Sequence, residues 1–143
     1  MSEFTLESAD RLRRSVGDMV RTIQQGEGLP GGLIETLGFL LREGPQSIAQ
    51  LARLRRIRHQ SMSSAVADLE ARHLVVRSPD PADGRSVIVV LTDEGAAMVE
   101  KSRADRSTAI LRAAESSLTA DELAALSRTA EIFDKVRIAL AAS

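Results

Sequence analysis

The chain has 143 residues, 43% of them hydrophobic and 27% charged, with a net charge of −1, which suits one globular unit and is too apolar for a disordered chain. The absence of cysteine excludes disulfides, a thiolate nucleophile and cysteine-ligated metal. No apolar run approaches the roughly 18 residues of a membrane span, and Met1 to Asp10 lacks the pattern of a secretory leader, so a cytoplasmic protein without membrane contact is expected.

In the first segment Phe4, Leu6, Ala9, Leu12, Val16, Met19, Val20 and Ile23 recur mostly three or four apart, the signature of an amphipathic helix. "GEGLPGG", Gly26 to Gly32, packs four glycines and a proline into seven residues and reads as a connector. A second helix is predicted from Leu33 to Arg42, closed by Gly44 and Pro45. Ser47, with Gln50 three residues later, fits a capping box that opens a short helix turning Ile48, Leu51 and Ala52 inward. After "RLRRI" another helix, from about His59 to Arg72, sets Met62, Val66 and Leu69 on one face. Its other face carries Arg58, His59, Gln60, Ser61, Ser63 and Ser64. Two short helices around a tight turn, the second with a small, polar and basic outer face, describe a helix-turn-helix that can enter a major groove.

"LVVRSP" and "SVIVVL" are β-rich, and "DPADGR" between them supplies the Pro, Asp and Gly of a hairpin tip. A hairpin directly after a helix-turn-helix is a wing. Arg85 closes its tip, where a guanidinium can reach a narrow minor groove, and Asp83 stands two residues before it, placed to hold the arginine in one orientation. Thr92 caps the next helix, whose first turn is acidic and whose pattern ends at Ser116 and Ser117. "TADE", Thr119 to Glu122, is a second capping box, followed by a stripe of Leu123, Leu126, Ala130, Phe133, Val136 and Leu140. The first and last stripes have no neighbours in the central lobe to cover them, and the same helices of a second chain would do so in a two-fold interface. Phe4, Phe39 and Phe133 are expected in the core, and His73 half-buried.

Charge follows the same division. Residues 53–85 hold seven basic and four acidic side chains, while the segments before and after are each net −2. Arg53, Arg55 and Arg56, between the two short helices, together with Arg77 on the first strand, are candidate phosphate contacts. No pairing of nucleophile and base and no glycine-rich phosphate loop points to an enzyme. Aromatic residues at 2% leave no stacking platform for single-stranded RNA. The rival reading is a winged helix used for protein contact without DNA binding.

The order of elements, and the segments "GLIETLGFLLREG", "SIAQLA" and "MSSAVADLEARHLVVRSPDPADGRSVIVVLTDEG", resemble the MarR (multiple antibiotic resistance regulator) family of transcription factors, closely over residues 33–100 and by pattern at the terminal helices. The most specific part is the wing, where "DGR", a β-run and an "LT.EG" sequence follow one another. The resemblance implies a mainly α fold with a small β-hairpin wing (α+β), divided into an N-terminal dimerisation helix and linker (1–32), a winged helix-turn-helix lobe (33–92), and a connecting helix with a C-terminal dimerisation helix (93–143). It also implies a homodimer repressing transcription from a palindromic double-stranded operator and, in many members, release by a small aromatic or phenolic effector; with no cysteine and only His59 and His73 as histidines, no cofactor or metal is expected. Carried over by position, Gln60, Ser61, Ser63 and Ser64 fall on the base-facing turn, Arg85 on the minor-groove arginine and Asp83 on its support. Two positions depart from the family pattern. Arg58 stands where a Ser or Thr helix cap is common, and His73 replaces the usual glycine after the recognition helix.

Overall fold

A computed structural model describes residues 3–25, 28–30 and 32–143. Among them the helices α1 (Leu6–Gln24), α2 (Leu33–Glu43), α3 (Ile48–Arg55) and α4 (His59–Ala71) precede the strands β1 (Val75–Pro79) and β2 (Val87–Leu91), and α5 (Asp93–Ser117) and α6 (Ala120–Ala141) complete the chain. Fold class and element order are those expected. Gly26 and Gly31 of the predicted connector lie outside the described residues.

Local chemistry sets most of these boundaries. The Ser47 hydroxyl accepts from the Gln50 N–H at 3.1 Å, while the Gln50 side chain accepts from the Ser47 N–H at 2.8 Å, so the capping box forms in full. Thr119 and Glu122 form the second one, at 3.2 and 2.8 Å. At α1 the cap is Thr5, whose hydroxyl accepts from the Ser8 N–H, so Phe4 precedes the helix that the apolar pattern starts with it. Phe4 and Phe133, expected in the core, are 60% and 39% exposed. Phe39 does pack against the core.

By contact the chain divides into two compact units, Met1–Asp105 and Arg106–Ser143. The core belongs to the first. α2 contributes Leu33, Ile34, Leu37 and Leu40, α3 Leu51 and Ala52, and α4 Met62, Val66 and Leu69; Leu74, Val75, Val89 and Val99 close it from the hairpin and α5. Each large side chain so buried is worth about 1.5–3 kcal/mol. In the second unit, and equally along α1, no helix residue is buried in the single chain, α5 contributing none beyond residue 105. Among the described residues no helix is long and apolar enough to cross a membrane.

The hairpin is antiparallel, pairing Val75 with Leu91 and Pro79 with Val87 at its two ends. Gln46, just before α3, exchanges both backbone hydrogen bonds with Val89, at 3.2 and 2.7 Å, tying the wing to the entry of the helix-turn-helix.

α4 ends in a Schellman motif. The Leu74 N–H donates to the Leu69 carbonyl and the His73 N–H to the Glu70 carbonyl, both at 3.0 Å, and Leu69 and Leu74 are both buried. His73 occupies the left-handed position, with φ of 61°, and its side chain is exposed rather than half-buried. The C-cap thus forms without the glycine that would adopt this φ freely. His73→Gly is expected to stabilise the fold by roughly 0.5–1 kcal/mol, read as a higher denaturant midpoint at unchanged slope; a lower midpoint would contradict the cap assignment.

Candidate nucleic-acid interface

The turn between α3 and α4 repeats the same device. Arg56 is left-handed (φ 53°), and the N–H groups of Arg56 and Ile57 return to the carbonyls of Arg53 and Ala52 at 3.2 and 3.0 Å. A compact turn held this way fixes where α4 begins. Arg58 is the N-cap residue in extended geometry and makes no side-chain cap bond, so the missing Ser or Thr leaves its mark only as an absent hydrogen bond. With Met62, Val66 and Leu69 wholly buried, the other side of α4 turns outward: His59, Gln60, Ser61 and Ser64 are exposed and Ser63 is half-buried.

The arginines separate into two groups. Arg53, Arg56 and Arg58 are exposed and have no ion-pair partner among the described residues, and Arg53 borders a shallow groove of about 310 Å³ that Glu43, Gln46, Gln50 and Leu54 also line. Arg55 is not brought together with them. Its side chain, 15% exposed, pairs with Glu35 at 3.3 Å and donates to the Thr36 hydroxyl at 3.5 Å, which is itself fully buried. Glu35 also accepts from the Gln24 side chain at 3.1 Å, so one carboxylate links α1, α2 and α3. Arg77 leans from β1 toward α4, 3.6 Å from Glu70, with 37% of its side chain exposed.

At the wing tip the backbone is closed by its own hydrogen bonds. Asp80 N–H donates to Ser86 O (2.9 Å), Asp83 N–H to Asp80 O (3.2 Å) and Ser86 N–H to Asp83 O (3.0 Å), while the Asp80 carboxylate accepts from the Ala82 N–H at 2.9 Å. Asp83 supports Arg85, though by another route than expected. Its carboxylate accepts from the Arg85 backbone N–H at 3.1 Å and from the Ser86 hydroxyl at 3.2 Å, so it orders the main chain under Arg85 rather than gripping the guanidinium. This is an Asx turn, the local bond that a short acid makes two residues on. The Arg85 guanidinium is left exposed, without an ion pair among the described residues.

The junction after the wing is equally specific. Thr92 donates its hydroxyl proton to the His73 carbonyl at 2.8 Å and accepts from the Gly95 N–H at 3.0 Å, while its own N–H donates to the Leu74 carbonyl at 3.1 Å. One residue therefore caps α5 and fastens it to the end of α4. A Cβ on Gly95 would collide with that same Leu74 carbonyl and with the Leu91 side chain, which explains the glycine of "LTDEG".

Helix-turn-helix, locked wing and latched connecting helix form one constellation, and residues 28–86, from α2 to the wing tip, match the MarR family. The winged helix of this chain resembles that of the MarR family. Individual proteins are similar as well. Over 65 residues the chain is 43% identical to the HTH-type transcriptional repressor NicR of Pseudomonas putida, covering 46% of this chain and 41% of NicR. The chain thus spans about half or less of the curated relatives it matches. Among solved structures, a candidate transcriptional regulator of Pseudomonas aeruginosa PA01 superposes with a TM-score of 0.79 at 25% identity, covering 96% of this chain and 98% of that one. BpsR of Bordetella bronchiseptica, whose DNA binding is regulated by 6-hydroxynicotinic acid, gives a TM-score of 0.57 at 26% identity over 94% and 97% of the two chains.

Proposed function

We propose that the protein is a sequence-specific double-stranded DNA-binding transcriptional regulator that acts as a homodimeric repressor at a pseudo-palindromic operator and is released by a small aromatic or phenolic effector. The observation that carries this reading is the wing tip, where a hydrogen-bonded turn holds an exposed, unpaired Arg85 on the hairpin that follows α4. A rigid backbone loses little entropy on binding, and a free guanidinium needs no ion pair broken before it enters a minor groove.

In this reading Arg58, His59, Gln60, Ser61, Ser63 and Ser64 meet the major groove, Arg85 enters the minor groove, and Asp83 orders the turn beneath it. Arg53, Arg56 and Arg77 contact phosphates. Arg55 instead positions α3 through Glu35 and Thr36. Residues 1–32 and 93–143 supply the dimerisation helices around the lobe of 33–92, and their exposed apolar residues, among them Met19 at 48% and Val136 at 48%, support a second copy as the cover. The name of NicR supports repression, and the regulation of BpsR by 6-hydroxynicotinic acid supports an aromatic effector.

Arg85→Ala tests the assignment. It is expected to weaken operator binding by about 1–3 kcal/mol, measured by fluorescence anisotropy, with the thermal transition of the free protein unchanged because the residue is exposed. Unaltered affinity would remove the wing from the interface.

A further inference from the structure

We propose that Gln60 reads an adenine in each operator half-site and sets the sequence preference of α4. This rests on the DNA-binding reading above and adds to it what is read and by which side chain.

The argument starts from helix geometry. Opposite the buried Met62, Val66 and Leu69, the exposed residues Gln60, Ser64, Ala67 and Ala71 follow at spacings of four, three and four. Positions so spaced form one line along a helix, here the outermost line of α4. Every member of it after Gln60 is serine or alanine. The small side chains let α4 lie close to the floor of a groove, and Gln60 is the one residue on the line long enough to span the remaining distance to a base edge.

Its chemistry is selective. A carboxamide presents a donor and an acceptor side by side, which matches the N7 acceptor and N6 amino group of adenine in the major groove. Guanine shows two acceptors there and suits arginine or lysine. The carboxamide is also uncommitted. Gln24, Gln46 and Gln50 use theirs on Glu35, the Glu43 carbonyl and the capping box, whereas Gln60 has no hydrogen bond to its side chain among the described residues. The neighbouring arginines stand off the line: Arg58 is at the N-cap of α4, Arg56 in the turn before it and Arg53 on α3, and the phosphate contacts proposed for Arg53 and Arg56 carry no sequence information directly.

The test is parallel selection of bound duplexes from one random pool by the wild-type chain and by Gln60→Ala and Gln60→Arg. Folding of both variants is checked by their thermal transitions, which substitution at an exposed position should leave in place. The wild type is expected to enrich half-sites with one near-invariant A·T pair, Gln60→Ala to lose that preference and to weaken its hold on the wild-type site by roughly 5- to 150-fold for each half-site, and Gln60→Arg to convert the pair to G·C. If the wild type enriches a sequence and both variants enrich the same one, Gln60 is not the reader and the proposal is overturned. If the wild type enriches nothing, the DNA-binding reading itself falls, and this inference with it.

Discussion

Gly95→Ala is expected to destabilise the first unit by about 3 kcal/mol, the upper end of ordinary overpacking penalties, and to lower its denaturant midpoint accordingly. The direction is the informative part. Alanine is favoured over glycine inside a helix by about 1 kcal/mol, so on propensity alone the substitution should stabilise α5. The added methyl would meet the Leu74 carbonyl and Leu91, and a backbone oxygen has no rotamer by which to move aside. Relief would require α5 to shift away from the end of α4, straining the Thr92 bonds to His73 and Leu74. Gly38 in α2 supplies the control, because a Cβ there meets nothing within 4 Å; Gly38→Ala should stabilise by roughly 0.5–1 kcal/mol. Equal stabilisation by both substitutions would contradict the close approach.

The second large effect concerns assembly. Phe133→Asp is expected to raise the dissociation constant of the proposed dimer by at least about 10²-fold. Burying a large apolar side chain is worth about 1.5–3 kcal/mol, a two-fold interface counts the change twice, and each 1.4 kcal/mol is a factor of ten. Phe133 lies on the α6 stripe with Leu126, both 39% exposed in the single chain, and belongs to no buried cluster there. Circular dichroism should therefore be unchanged while sedimentation moves from dimer to monomer. Operator affinity should fall with it, since a monomer presents one half-site reader. Identical sedimentation of variant and wild type would mean that α6 is not the interface.

Much of this was legible in the sequence where a repeating physical pattern carries it. Met62, Val66 and Leu69 announce their helix face by spacing, the Ser-x-x-Gln and Thr-x-x-Glu boxes announce two helix starts, and the polar tip between two β-rich runs announces the wing. What escaped has no period. The pairing of Gln46 with Val89 is a single bridge made by backbone alone, to which side-chain identity contributes nothing. Arg55 was hidden inside an arginine run, although a signal was present, since it follows Leu51 by four and Ala52 by three and so falls on the inner edge of α3. The spacing of Asp83 and Arg85 suggests a charge pair, whereas the carboxylate accepts from the Arg85 backbone N–H, an Asx turn that the two residue types alone do not distinguish from an ion pair. His73 shows the converse. A missing glycine suggested a doubtful cap, yet the packing of Leu69 and Leu74 holds the left-handed residue in place.

The most direct test of the account as a whole is selection of bound duplexes from a random pool by the full chain, followed by a salt titration of the best binder. The account predicts a pseudo-palindrome with half-sites about one helical turn apart, whose affinity falls steeply as salt rises because phosphate contacts release counterions. No enriched sequence at any salt concentration would contradict it.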